Sequence, residues 1–294
     1  MQRQADVALR KYYISVAKLA LFILSSNILF IILHRQKETA MLQDPLISII
    51  TVTYNAEATV VATMQSVASQ SFDDYEHIVI DGVSTDRTLA LVDELKTERT
   101  RVFSSPDHGI YDAMNKGLGS ARGKYVVFLN AGDRFHSPDT LATVAEASTG
   151  KLSPGVIYGQ TDLVDADGNF IAKRHLTAPE HLDFKSFRHG MLVCHQAFFV
   201  LRQIAPLYRM KWRYSADYDW CIRCLQHSRL NKYTGKVLVD YLLEGTTTQN
   251  RKASLKERFK IMSYYYGLIP TVLRHMAFVP RFIAARVREK MGKK

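Results

Sequence analysis

Apolar and polar positions along residues 46–150 repeat in a fixed order, a short apolar run followed by a longer amphipathic stretch. LISIITVT (46–53) is a β-branched run with no polar face, the pattern of a strand covered on both sides. Residues 57–70 then carry a helical period. YEHIVID (75–81) predicts a second strand, and Ser84 and Asp86 precede TLALVDELK as the start of a capped helix. RVFSS (101–105) predicts a third strand, residues 109–121 a helix with Ala113, Met114 and Leu118 inward, and KYVVFLN (124–130) a fourth strand. This alternation predicts an α/β domain with a doubly wound, mostly parallel sheet and helices on both faces.

Beyond residue 155 the period changes. GVIYGQTDLVD, a DADG turn at 165–168 and NFIAKRHL predict an antiparallel hairpin. Residues 214–229 read as a helix and 236–244 as a strand. Residues 14–33 form an apolar stretch interrupted by Lys18, Ser25, Ser26 and Asn27; its 20 residues just match a hydrocarbon core. That predicts a membrane anchor, with a helix packed on the protein itself as the alternative. Translation starting at Met41 would remove the stretch. Residues 251–294 mix aromatic and aliphatic residues with Arg and Lys, and Pro270 and Pro280 divide them into short helices. They predict an interfacial amphipathic segment, the alternative being a helix that closes over the core. The expected division is an extension at 1–43, the main domain at 44–250 and basic amphipathic helices at 251–294.

The formal net charge of +11 changes meaning when it is located. Residues 251–294 hold 12 Lys and Arg against 2 Asp and Glu, and residues 1–43 hold 6 against 2. The intervening domain, with 21 against 24, is slightly acidic. A nucleic-acid-binding domain carries its positive charge on its own face, so no nucleic-acid partner is expected. Basic ends beside apolar stretches suit an anionic membrane surface, and the expected location is the cytoplasmic face of the inner (plasma) membrane. Cys194, Cys221 and Cys224 are an odd number and imply no disulfide framework. Cys221-Ile-Arg-Cys224 lies mid-helix with no second ligand pair and reads as core thiols.

In a doubly wound sheet, ligands bind outside the carboxyl ends of the strands. Polar residues collect at those ends: Thr53-Tyr54-Asn55, Asp81 to Asp86, Asp107-His108-Gly109, and Asn130 to Asp133. Asp and Asn are also ordinary turn and cap residues, and Asp86 reads as a helix cap. Asp81 directly terminates a buried strand; a carboxylate there can accept hydrogen bonds from a base or ribose, or hold a metal.

On ISIITVTYNAEATV, HIVIDGVSTDRT, SPDHGIYDAMNKGLGSARGKYVVFLNAGD, CHQAFFV and SADYDWCIRCL, the chain resembles the family-2 glycosyltransferases of GT-A fold. The resemblance covers about residues 46–230 and is nearest to bacterial enzymes of colanic-acid, exopolysaccharide and O-antigen assembly. It implies an inverting enzyme that uses a nucleotide-sugar, a UDP-sugar above all, and a lipid-linked or saccharide acceptor. By the same resemblance, Thr53, Tyr54 and Asn55 line the nucleotide and Asp81 binds the base. Asp107 and the segment through Asn115 and Lys116 cover the ribose and diphosphate. Asn130 to Asp133 stands at the family's acidic metal motif, Asp217 at its catalytic base, and His195 and Gln196 near the acceptor.

Two departures matter. Asn130-Ala131-Gly132-Asp133 keeps one carboxylate where the family often has more, so the expected Mg²⁺ or Mn²⁺ has Asp133 as its protein ligand and is held weakly. Ala216-Asp217 lacks the first acid of the base motif. On a helix Asp217 and Asp219 face different ways, and the motif position selects Asp217.

Two other functions bear on the same residues. A nucleotidyltransferase wants a Gly-rich basic loop after the first strand, and Tyr54-Asn55-Ala56-Glu57-Ala58 has none. A non-catalytic nucleotide-sugar-binding protein at a membrane fits the reduced acidic motifs. Gly117 to Gly123 follows a helix instead of a strand, so it reads as a helix end and not as a dinucleotide fingerprint.

Overall fold

The structure, a computed structural model, describes residues 44–243 and 251–276. The expected anchor at 14–33, the possible start at Met41 and the tail at 277–294 lie outside those residues. Among the described residues no helix is long and apolar enough to cross a membrane.

The strands are β1 (Ile47–Thr53), β2 (Tyr75–Asp81), β3 (Thr100–Ser104), β4 (Tyr125–Phe128), β5 (Arg134–Phe135), β6 (Val156–Val164), β7 (Phe170–Lys173), β8 (Phe198–Leu201) and β9 (Asn231–Leu242). The helices are α1 (Val60–Ala68), α2 (Thr88–Leu95), α3 (Ile110–Ser120), α4 (Thr140–Ala147), α5 (Ala216–His227) and α6 (Arg251–Tyr266), with a further helix α7 over 268–276. One nine-stranded sheet runs β3-β2-β1-β4-β8-β6-β9-β5, with β7 on β6. β3, β2, β1 and β4 are parallel, whereas β8 is antiparallel to both β4 and β6. The expected antiparallel region is therefore continuous with the parallel sheet. β9 starts five residues earlier than its apolar pattern begins, and it pairs parallel with β6.

Every residue of β1 and β2 is buried, as their unbroken apolar runs require. Alternate residues enter opposite cores: Ile50 and Val52 pack with α3 and α5 on one face, Ile47 and Ile49 with α4 on the other. Gly117 lets α3 lie close on the sheet, because a Cβ there would stand 2.4 Å from Ile50 Cγ2. Asp86 caps α2 from one residue before its N-cap, accepting from the Thr88 amide at 2.9 Å. Cys221 and Cys224 are fully buried on α5, and burial pushes both thiols well up.

α6 belongs to the same compact unit as the sheet, which begins at Pro45. Ile261 and Met262 are buried in the main core. Glu257 of α6 accepts from the amides of Arg213 and Tyr214 just ahead of α5. Tyr265 donates to Asp219 Oδ1 at 2.9 Å. α6 thus packs on the core through Ile261 and Met262, the alternative given above for this segment.

Candidate active site

The register Thr53–Asp81–Ser104 brings the carboxyl ends of β1, β2 and β3 level. A cleft of about 530 Å³ opens there, lined by Thr53, Tyr54, Asn55, Asp107, Asn130, Asp133 and Gln196, with Tyr241 and Leu242 of β9 on its far wall. Tyr54 is 65% exposed and offers a free ring face. Asn55 takes a left-handed φ of 47°, and its Oδ1 accepts from the Thr85 amide at 2.9 Å. Gly82 allows this corner to form: a Cβ would stand 2.5 Å from Asp107 Oδ2 and 3.3 Å from the Tyr54 ring. Asp107 Oδ1 in turn caps the Gly109 amide at 2.8 Å, ahead of α3.

Asp133 is 4% exposed at the floor. Its Oδ2 accepts from Gln196 Nε2 at 2.7 Å, and its Oδ1 from the Leu242 amide at 3.1 Å. Burial outweighs those two donors and raises the carboxyl to about 7. Thr63 of α1 shapes the turn, donating to Asp133 O at 2.7 Å and accepting from the Gly132 amide at 2.9 Å. Asn130 Oδ1 is buried without a partner. Among the described residues no three His, Cys, Asp or Glu side chains gather to hold a cation. Asp133 keeps a lone pair on each oxygen and Asn130 Oδ1 is open, so these residues fit a cation that takes its other ligands from diphosphate and water.

Three residues expected at the donor are engaged by the protein itself. Asp81 is wholly buried and lines no part of the cleft; its oxygens accept from Thr53, Ser84 and Ser104 at 2.5–3.1 Å. It organises the 82–86 loop, including Val83 at a strained φ of 64°. Asn115 turns away from the cleft and clamps the Tyr208 backbone, N–H to Oδ1 at 2.6 Å and Nδ2 to carbonyl at 3.1 Å. Lys116 Nζ bridges Ser105 Oγ and the Pro106 carbonyl, and so holds the loop that carries Asp107. Gln196, expected near the acceptor, turns its amide to Asp133 at the floor, because Cys194 Sγ donates to its Oε1 at 2.7 Å and fixes its direction.

Asp217 stands in the first turn of α5, outside the lining of the cleft. Tyr111 Oη donates to its Oδ1 at 3.2 Å, and His195 Nδ1 lies 3.8 Å from its Oδ2. His195 Nε2 is buried without a partner. Burial holds the imidazole below its ordinary value against the opposing pull of Asp217. The cluster abuts the cleft: Tyr111 lies between the cleft residues Ile110 and Ala113 on α3, and His195 precedes Gln196. Cys194 lies near enough to feel the charges of both Asp133 and Asp217. Asp219 faces the other way and is ion-paired to Arg223 at 2.8 Å and Arg209 at 3.4 Å.

The sequence profile described as Glycosyl transferase family 2 matches residues 48–205, more than half of the chain. The chain belongs to glycosyl transferase family 2. A PGL/p-HBAD biosynthesis glycosyltransferase of Mycobacterium bovis is 35% identical over 206 residues, covering 67% of this chain and 77% of that protein. Among solved structures, residues 1–349 of S. aureus TarS in complex with UDP-GlcNAc align at a TM-score of 0.59 and 18% identity, covering 79% of this chain and 73% of that one. The mannosyltransferase PcManGT of Pyrobaculum calidifontis, in complex with GDP-Man and Mn²⁺, aligns at 0.56 and 14%, covering 86% and 81%. These likenesses show the GT-A fold.

Several residues of this family-2 glycosyltransferase's cleft carry no signal in the sequence. Tyr241 and Leu242 reach it only through the parallel pairing of β9 with β6. Arg258 of α6 adds a positive field felt at His195 and Tyr111. Tyr111 reads in the sequence as one more residue of an amphipathic helix.

Proposed function

We propose that this glycosyltransferase moves a sugar from a nucleotide-sugar, a UDP-sugar, to a lipid-linked or saccharide acceptor in bacterial surface glycan assembly, at the cytoplasmic face of the membrane. The observation that carries the reading is the cleft at the strand ends, where an exposed Tyr54 ring, Asn55, Asp107, Asn130 and Asp133 face one space. The ring suits the flat face of a base. The UDP-GlcNAc of one structural neighbour and the GDP-Man of another support a nucleotide-linked donor. The mycobacterial relative, named for PGL/p-HBAD biosynthesis, supports sugar transfer within a biosynthetic assembly.

The chemistry is a single displacement. The acceptor hydroxyl oxygen bonds to the anomeric carbon, the bond from that carbon to the phosphate oxygen breaks, and the nucleoside diphosphate leaves with the electron pair. Configuration inverts. The hydroxyl proton passes to Asp217, whose Oδ1 is oriented by Tyr111 and whose Oδ2 lies beside the neutral His195. A divalent ion, when bound at Asp133 and Asn130 Oδ1, supplies positive charge for the departing diphosphate.

The test is a donor screen by thermal shift with and without Mn²⁺, followed by nucleoside diphosphate release with a lipid-linked acceptor present. The expected result is stabilisation by one UDP-sugar and release that needs acceptor. Stabilisation with no release from any donor would make the chain a nucleotide-sugar binder.

A further inference from the structure

A second recess, of about 280 Å³, lies between the 3-10 turn Phe184–His189, α6 and α7. Phe184, Met262 and Tyr266 form its apolar floor, and Lys185, Arg188 and Arg274 line its rim. No carboxylate lines it. Among the described residues none of the three cations forms an ion pair. The two guanidiniums instead meet at His189, Arg274 Nη1 at 2.9 Å from Nδ1 and Arg188 Nε at 3.4 Å from Nε2. Asp183 acts on Tyr266 from nearby, but its Oδ1 is engaged by the amide and hydroxyl of Ser186. Asp183 offsets part of this charge, its carboxyl being held low by Ser186 and in part by Lys185, but three cations against one carboxylate still favour an anion that can accept several hydrogen bonds.

The outer face of α7 shows what kind of molecule carries that anion. Leu268, Ile269, Val272, Leu273 and Met276 are 37–73% exposed. At 3.6 residues per turn they fall within an arc of about 140°. Thr271, on the opposite face, is buried, so the helix packs on the protein by one side and offers an apolar stripe on the other. A free phosphate has no use for that stripe. The sequence continues from 277 to 294 with six Arg and Lys against one Glu. Apolar stripe and cations together match an interfacial helix on an anionic bilayer.

We propose that Lys185, Arg188 and Arg274 bind the phosphate of an anionic bilayer lipid while the apolar stripe of α7 enters the acyl boundary. This deepens the membrane part of the function proposed above and rests on it. Three side chains on two separate elements converge on one recess, so lipid binding also fixes which face of the enzyme meets the membrane.

The test uses the full chain, without donor or acceptor, sedimented with vesicles of phosphatidylcholine alone or mixed with phosphatidylglycerol. The Lys185→Ala/Arg188→Ala double variant is expected to bind the mixed vesicles at least about tenfold more weakly, at about fivefold per cation near the surface. Ile269→Asp, at a position 73% exposed, is expected to weaken binding to both compositions. Thermal melting checks that each variant is folded, and Lys185→Glu replaces the double variant if that one is not. Wild-type affinity in the folded variants overturns the proposal. So does stabilisation of the wild type by inorganic phosphate that also releases it from mixed vesicles, which would assign the recess to a free anion. Binding through 1–43 or 277–294 is common to all variants and cancels in the comparison. Because no sugar is transferred, a negative result leaves the glycosyltransferase reading untouched.

Discussion

Gln196 Nε2 donates to Asp133 Oδ2 at 2.7 Å, joining the strand end that offers the cleft's buried carboxylate to the turn that carries His195. Gln196→Ala leaves that oxygen without its donor and is expected to lower turnover by about tenfold or more, since a hydrogen bond to a charged group contributes about 1.5–3 kcal/mol. It is also expected to raise the Mn²⁺ concentration needed for half-maximal rate. Steady-state kinetics over a Mn²⁺ series measures both, and an unchanged Mn²⁺ dependence would separate Gln196 from the cation.

Asp217→Asn keeps the shape of the Tyr111 contact and removes the proton acceptor. Donor affinity by calorimetry is expected to stay within about twofold, while turnover falls by at least about a hundredfold. Wild-type-like turnover removes Asp217 from the mechanism.

Gly82→Ala places a methyl group 2.5 Å from Asp107 Oδ2. Asp107 must move, and the Tyr54 ring with it. The donor is expected to bind at least about tenfold more weakly, with a melting temperature close to wild type because the change faces the cleft and not a core. Calorimetric titration with a UDP-sugar checks it.

Burial works against the ionised form of Asp81, but the donors from Ser84, Ser104 and Thr53 outweigh it and hold the carboxyl below its ordinary 3.8. A depressed folded value means that the stability it contributes is present above the unfolded value and is lost as pH falls through the folded one. The wild type is therefore expected to lose stability below about pH 4 more steeply than Asp81→Asn. Urea unfolding across that range measures the difference.

Ile261→Ala empties a fully buried position on α6 and is expected to cost about 2–5 kcal/mol. A shift near zero in urea unfolding would return α6 to the status of an appendage.

Much of the parallel half was legible because its signals are local. β1 and β2 are unbroken apolar runs, and their ends bring Thr53, Asp107 and Asn130 to one edge. What the pattern could not settle was direction. Asp81 sits where a ligand contact was expected, yet its three hydroxyl partners come from β1, β3 and its own loop, a set visible only once the register is known. Asn115 and Lys116 occupy the correct helix but point at the loops on either side of it. The basic composition of 251–294 suggested a membrane-facing segment, whereas α6 turns Ile261 and Met262 to the core and exposes Lys252, Lys256 and Lys260. The opposed directions of Asp217 and Asp219 followed from helical geometry alone.

The three cysteines have one more use. All are buried, and burial raises every one of their thiols, Cys194 to about 11. Thiolate is the form that reacts, so the folded chain is closed to alkylating reagents and the opened chain is not. The molecule therefore carries its own clock. Cys221 and Cys224 time the opening of the core, whereas Cys194, bonded to Gln196 beside the cleft, times the loosening of that floor, each readable by mass from the unmodified protein.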